Sequence, residues 1–271
     1  MYLAIHLDLV GKTVPYFLEN IEGEMDNWNV KIKITAISLF SPAGRDEAAL
    51  GQKVIGQVPD FKARKLVPDR KSLKLMTQAV RLGVACIADV VSKVPYWESI
   101  PPERRGIYVG ASPQVGRHDD LTDAIDASYQ SGEFSLSDFG SKGIDLINPL
   151  WLVRGLSNNV LGFSSAYHNV QGHNMSYCMG EDGGLNAIKE AIYALLDHRV
   201  DIAIAGGSDA LVEASEIMGL PCSEASAFFV FERGDDEFAV TEETLKFSNV
   251  FGGIGAAKWP VALALQEFSK Q

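Results

Sequence analysis

Gly172-His-Asn-Met-Ser-Tyr-Cys-Met-Gly-Glu-Asp-Gly-Gly-Leu185, continued at Val200-Asp-Ile-Ala-Ile-Ala-Gly-Gly207, is the stretch that decides the fold. Residues 174–179 read as a short buried strand and residues 180–184 as a tight turn. A helix is predicted over residues 185–196, because Leu185, Ile188, Ile192 and Leu195 recur at three- and four-residue steps. Residues 200–205 read as a second buried strand closed by Gly206 and Gly207, so the unit is a strand-turn-helix-strand crossover. A side chain at such a strand-to-helix turn sits beside free backbone N–H groups and the positive end of the helix dipole. There a thiol is acidified and activated. This chain places the carboxylate of Glu181 at that point, where its charge is favoured but its nucleophilicity is poor. In a generic helix, Glu181 and Asp182 would simply be acidic first-turn residues.

Working outward, Ile34 to Gly44 reads as a strand and turn, and Gly106 to Gly110 as a further strand. A long helix capped by Asp69 or Ser72 is predicted to run to about Val94. Leu73, Met76, Val80, Val84, Ile87 and Val91 leave it few polar positions, so it should be buried on most sides. Residues 119–130 should form an amphipathic helix with Leu121, Ala124, Ile125 and Ser128 on one face, followed by a Ser/Gly-rich loop. Asn148-Pro-Leu150-Trp151 then leads into another helix through Val160. Asp235 to Glu237 and Glu242-Glu243 read as solvated loop and helix starts. Residues 1–7 suit an added strand to which the sequence gives no role.

The chain of 271 residues, 46% hydrophobic, can bury one large α/β core, and no Ser/Pro-rich linker divides it. A net charge of −11 argues against nucleic acid and anionic membrane as partners. Cys86, Cys178 and Cys222 lie in apolar or mixed contexts, which suggests reduced thiols. No apolar run is long enough for a membrane span and no basic-then-apolar leader opens the chain, so a cytoplasmic location is expected. Metal-ligand spacing and a phosphate loop are both absent, and no cofactor is expected.

From about Lys31 to Arg233, these stretches in this order resemble the N-terminal half of a β-ketoacyl-acyl carrier protein synthase of the thiolase-like superfamily. The match runs through Ser41-Pro-Ala-Gly44, the Gly106 strand, Asn148 to Val160, the Gly172 to Gly207 unit and Ala225 to Arg233. The resemblance implies a layered α/β fold truncated to its N-terminal half. It divides the chain into an extension (1–30), a ketosynthase N-terminal-like domain (31–233) and a short C-terminal segment (234–271). Counting nine residues forward from Gly172 and about twenty-six back from Gly207 both places Glu181 at the family's nucleophile position. Gly184 matches the glycine three residues beyond it, and Cys178 is three residues too early. The family's second half supplies two active-site histidines. Here His6, His118, His168, His173 and His198 all precede Arg233, and Gly252 to Ala257 resembles the missing half only in its glycines.

A ketosynthase needs a thiolate to carry the acyl chain and imidazoles for decarboxylation. With neither in place, the resemblance implies a chain length factor of a type II polyketide system, of aryl polyene or aromatic type. Such a subunit is catalytically silent alone, pairs with an active ketosynthase in the acyltransferase complex, and leaves acyl carrier protein docking to that partner. Leu121, Ala124, Ile125, Ser128, Leu150 and Trp151 are the tunnel and interface candidates, while Glu181, Gly184, Gly206 and Gly207 are structural at the vestigial site, with Glu181 bonded to the turn amides. The alternatives are a malonyl-carrier decarboxylase, a half-enzyme completed by a second polypeptide, and a non-catalytic scaffold. Half of such a fold would also expose the face its second half covers, a further reason to expect an obligate complex.

Overall fold

The structure, a computed structural model, describes residues 29–67, 69–112, 119–130 and 132–270. The strands are β1 (Asn29–Ser41), β2 (Gly44–Arg45), β3 (Arg105–Gly110), β4 (Tyr129–Gln130), β5 (Glu133–Phe134), β6 (Asn174–Tyr177), β7 (Ile202–Ala210) and β8 (Glu224–Ala239). The principal helices are α1 (Gln78–Ser92), α2 (Asp119–Asp126), α3 (Asn159–Tyr167), α4 (Gly183–Leu196), α5 (Glu242–Phe247) and α6 (Lys258–Ser269). One mixed sheet has the order β2-β1-β8-β7-β3-β6, and β4 and β5 form a separate hairpin. β3 runs parallel to both β6 and β7, whereas β8 is antiparallel to β7 and β1.

Strand periodicity sorts the core into two. Ile202 and Ile204 of β7 and Phe228 and Val230 of β8 pack under α1, with Val160 of α3. The alternate residues Ala203, Ala205, Phe229 and Phe231 pack under α4 and α6. Phe229 and Phe231 stack with ring centroids 5.3 Å apart, and Phe238 meets both edge-on. The result is helix, sheet and helix in three layers.

α6 supplies much of the second core, and its residues from Val261 to Leu265 are essentially inaccessible. It lies on the α4 face of the sheet, packing on α5, β8 and α4. The segment after Arg233 is therefore built into the same core, and β8 itself continues through Ala239. The acidic residues Asp235 to Glu237, expected in a loop, belong to this strand, where Glu237 pairs with Lys31 of β1.

Three expected boundaries move, each for a local reason, and one strand differs in burial; the strand expected over residues 1–7 lies outside the described residues. α1 starts at Gln78, because Thr77 caps it by accepting the Val80 N–H. Asp69 instead takes the Lys71 amide and the Ser72 hydroxyl in a turn of its own. α2 stops at Asp126. The Ser128 hydroxyl donates back to the Ala124 carbonyl, and the β4–β5 hairpin follows around Gly132, whose φ is +85°. The helix expected through Val160 divides into a single turn at Trp151–Arg154 and α3, where the Asn159 amide donates to the Val153 carbonyl. β6, expected to be buried, is the last strand of the sheet among the described residues, and Asn174 and Met175 are exposed.

Candidate functional site

The turn between β6 and α4 is built by Gly180, at φ +57°, and one turn of 3-10 helix over Gly180–Asp182 that leads into α4 at Gly183. Glu181 stands at this point, just ahead of the helix. Its carboxylate meets the Lys258 ammonium at 2.6 Å, so the partner is the first residue of α6 rather than the turn amides. Glu181 is half exposed while Lys258 is largely covered. The Lys258 nitrogen lies 5.2 Å from the centre of the Trp259 ring, and the Trp259 indole N–H donates to Asp182 at 3.3 Å.

The strap from Gly252 to Lys258 thus crosses the β6–α4 turn, and two glycines let it come close. A Cβ on Gly184 or on Gly207 would each collide with the Ala256 carbonyl oxygen. Gly206, one residue earlier on β7, faces the other way, toward the Ala227 carbonyl and Phe228 of β8. The structure therefore gathers Glu181, Gly184 and Gly207 around one strap and leaves Gly206 to sheet packing.

Asp209, at the end of β7, holds the strap from below. Its buried carboxylate accepts the Ala256 N–H at 2.7 Å and the Ser112 hydroxyl at 2.6 Å, with the Ser112 N–H at 3.3 Å. Burial is the largest influence and pushes its pKa up to about 6, against the lowering effect of the Ser112 and Ala256 hydrogen bonds.

The described histidines occupy the other end of the parallel strands. His173 precedes β6 and shares a 3.0 Å hydrogen bond with the Tyr108 hydroxyl, while its carbonyl accepts the Ile107 N–H. The His168 carbonyl is bonded by Arg105 at the start of β3, and the His198 carbonyl by Arg104. Six strand residues at about 3.3 Å each separate the ends of β3 by roughly 17–20 Å. No described histidine can therefore exchange a proton with a group held at Glu181; His6 and His118 lie outside the described residues. A carboxylate at this point cannot carry an acyl chain as the thioester that a cysteine thiolate forms.

The remaining candidates lie in the segment between β3 and α3. Ala124 and Ser128 are buried, Leu121 is half-buried and Ile125 is exposed, on a helix whose main packing partners are the turns over residues 139–146. Leu150 and Trp151 are half-buried at the start of the later turn. Sequence reasoning missed Lys258, Asp182, Trp259, Ser112 and Asp209. Asp209 had a visible signal, a lone acid two residues past Gly207 in an otherwise apolar and small-residue run.

Comparisons with known proteins identify the fold. The family model for the β-ketoacyl synthase N-terminal domain matches residues 46–228. No curated protein matches the sequence. Among solved structures, a type II polyketide acyl-carrier protein in complex with its ketosynthase bound to the hexaketide (AntDE:AntF) superposes with a TM-score of 0.62 at 17% identity, over 75% of this chain and 62% of that one. The ishigamide ketosynthase/chain length factor gives 0.54 at 16% identity, over 75% and 62%. The ketosynthase ApeO in complex with its chain length factor ApeC from Xenorhabdus doucetiae gives 0.56 at 14% identity, over 76% and 59%. The fold is therefore the thiolase-like fold of ketosynthases. The chain belongs to the β-ketoacyl synthase family by its N-terminal domain, and it spans less than two thirds of each of these solved chains.

Proposed function

We propose that this chain is a non-catalytic chain length factor that pairs with an active ketosynthase and limits acyl chain growth in a type II polyketide pathway. The observation that supports this reading is the Glu181–Lys258 ion pair: the residue that the motif spacing assigns to the family's nucleophile position is a carboxylate, and it is tied to α6 of the same chain. Two of the structural relatives are described as ketosynthase and chain length factor assemblies, which supports a partner of that kind. The open side of β6, the last strand of the described sheet, supports a partner surface too, with exposed Met175 and Met179 beside it. Acyl carrier protein docking falls to the partner, since this chain carries a net charge of −11 and carrier proteins are themselves acidic. An aryl polyene is the first product class to test, an aromatic polyketide the second, and the cytoplasm is the expected site. Among the described residues, no helix is long and apolar enough to cross a membrane.

In this role the chemistry belongs to the partner's thiol, and this chain shapes the far end of the pocket. Leu121, Ile125, Leu150 and Trp151 are the side chains proposed to set its floor. The test is co-expression with a ketosynthase encoded beside this chain, followed by native mass and product analysis. A one-to-one complex whose products lengthen when one of these four residues becomes alanine is the expected result. Unchanged product length across all four variants would overturn the chain-length role in favour of a scaffold. Carbon dioxide release from malonyl carrier protein by the chain alone would replace it with decarboxylation.

A further inference from the structure

Residues 51–58 run past the start of β8 as a segment that is exposed along most of its length and buried only at Val58. Gly51 at φ +70° and Gly56 at φ +133° hold backbone shapes that favour glycine. Between them Val54 and Ile55 are exposed, and Ile55 lies over Gly252, where the strap begins. A Cβ on Gly252 would come within 3.0 Å of the Ile55 Cδ1 atom.

Three hydrogen bonds tie the segment to the start of β8. The Gly56 N–H donates to the Ser223 hydroxyl at 2.9 Å, the Glu224 N–H donates to the Gly56 carbonyl at 3.1 Å, and the Val58 N–H donates to the Glu224 carboxylate at 2.7 Å. Gln78, the first residue of α1, gives the same carboxylate a side-chain hydrogen bond. Glu224 is 3% exposed and pairs with no cation among the described residues. The charged groups on the elements around it are engaged elsewhere or solvated. Arg81 of α1 donates to the Leu73 carbonyl, and Asp209 of β7, which strand parity puts on the other face of the sheet, holds the strap. Lys53 and Asp60, in and just after the segment, and Glu213 and Glu216, between β7 and β8, are exposed.

A buried carboxyl held by neutral donors alone resists ionisation. Burial is the largest influence on Glu224 and raises its pKa from the ordinary 4.5, against the hydrogen bonds from Val58 and Gln78, which lower it. The Gln78 amide can serve either form, donating to the carboxylate or accepting from the protonated carboxyl. Lifting the segment returns Glu224 to water, where it ionises in its ordinary range. The closed form therefore binds the proton more tightly than the open one, so closure is favoured at low pH and weakens as pH rises through the raised pKa. We propose that residues 51–58 form a flap latched by Glu224, closed on the strap while that carboxyl is protonated and released as it ionises. Release bares the root of the strap whose other end reaches Glu181.

Amide hydrogen exchange on the full chain at about pH 5 and about pH 8, corrected for the intrinsic effect of pH on exchange, tests this. The Val58 amide should lose at least about five-fold of its protection across that range, while the Ile204 amide in β7 keeps its own. Glu224→Gln keeps an oxygen for the Val58 N–H but has no proton to lose, so Val58 protection in that variant should not change with pH. Constant Val58 protection in the unmodified chain overturns the proposal without recourse to any variant. So does a loss that persists in Glu224→Gln, or a loss that Ile204 shares, which would belong to unfolding of the whole sheet.

Discussion

The two ends of the parallel strands are held by opposite electrostatic designs. At the end where β3 begins, cations collect carbonyls and acids. Arg105 has a nearly inaccessible side chain that donates to the Ile100, His168 and Asn169 carbonyls and pairs with Glu98, while Asp201 bridges Arg104 and Arg233. At the end where β7 finishes, one buried carboxylate, Asp209, collects donors, and Glu181 in the β6–α4 turn meets a lysine 77 residues away. The first end is a clamp with every charge opposed. The second binds the C-terminal strap to the β6–α4 turn, and its central carboxylate, Asp209, has hydrogen bonds but no ion pair among the described residues. The comparison teaches that the end holding Glu181 serves to attach the C-terminal strap to the sheet, whereas the other end ties the starts of the strands together.

Substitution should break the clamp end hardest. Arg105→Ala takes the buried donor from the Ile100 and Asn169 carbonyls and one of two donors from the His168 carbonyl, which the Trp97 indole also bonds; at about 1–3 kcal/mol for each group that water cannot reach, a loss of roughly 3 kcal/mol is expected in urea denaturation. A loss under about 1 kcal/mol would show that solvent replaces the guanidinium. At the strap end, Asp209→Ala should cost about 2 kcal/mol by leaving the buried Ala256 N–H without its acceptor. It should also speed tryptic cleavage after Lys258, because the strap loses its lower anchor. Unchanged cleavage would mean that the glycine cradle alone holds the strap.

The clamp was largely invisible in the sequence, whereas the sheet was not. Alternation in β7 and β8, and the helical period from Leu185 to Leu195, are local signals that survive folding, because each face of a strand or helix has one destination. The failures came where a single side chain overrode the period. Thr77 moved the start of α1, and the hydroxyl of Ser128 closed α2 early. Glu181 was legible as the residue at the turn, but its partner was not. Pairing across 77 residues depends on where α6 comes to rest, and nothing local in Lys258-Trp259-Pro260 states that. Asp209 was overlooked because a lone acid in an apolar run reads as a strand end, while the strap that satisfies it lies in a distant part of the chain.

The two ends should also answer pH in opposite directions, which sharpens the comparison without any mutation. Asp209 is held up to about 6 from 3.8 by burial, so the folded protein binds its proton more tightly than the unfolded chain does. Its contribution is fully present below about pH 4 and is lost as pH rises through 6, on the order of 3 kcal/mol in all. Asp201 is held well below the usual carboxylate range by hydrogen bonds from Arg104 and Arg233, so its contribution is present above about pH 4 and lost as pH falls further. Urea midpoints of the wild type and Asp209→Asn between pH 4 and 7 separate the two. The wild type should lose stability relative to the variant as pH rises, and parallel curves would mean that the Asp209 proton is not coupled to folding.

The smallest effect belongs to the ion pair that defines the site. Glu181 is about half exposed, at 54%, so water screens much of its attraction to Lys258, and Lys258→Ala should cost under about 1 kcal/mol. Its value lies in geometry. Glu181→Gln keeps an oxygen that accepts from Lys258, and the proposed complex with a ketosynthase should assemble in normal yield. Glu181→Leu leaves a largely covered ammonium with no acceptor from the turn, so the strap should shift and the yield of complex should fall even though the isolated chain loses little stability. Equal yields from Gln and Leu would show that assembly does not read the vestigial site, and would leave the cradle of Gly184 and Gly207 as the feature that keeps the strap in place.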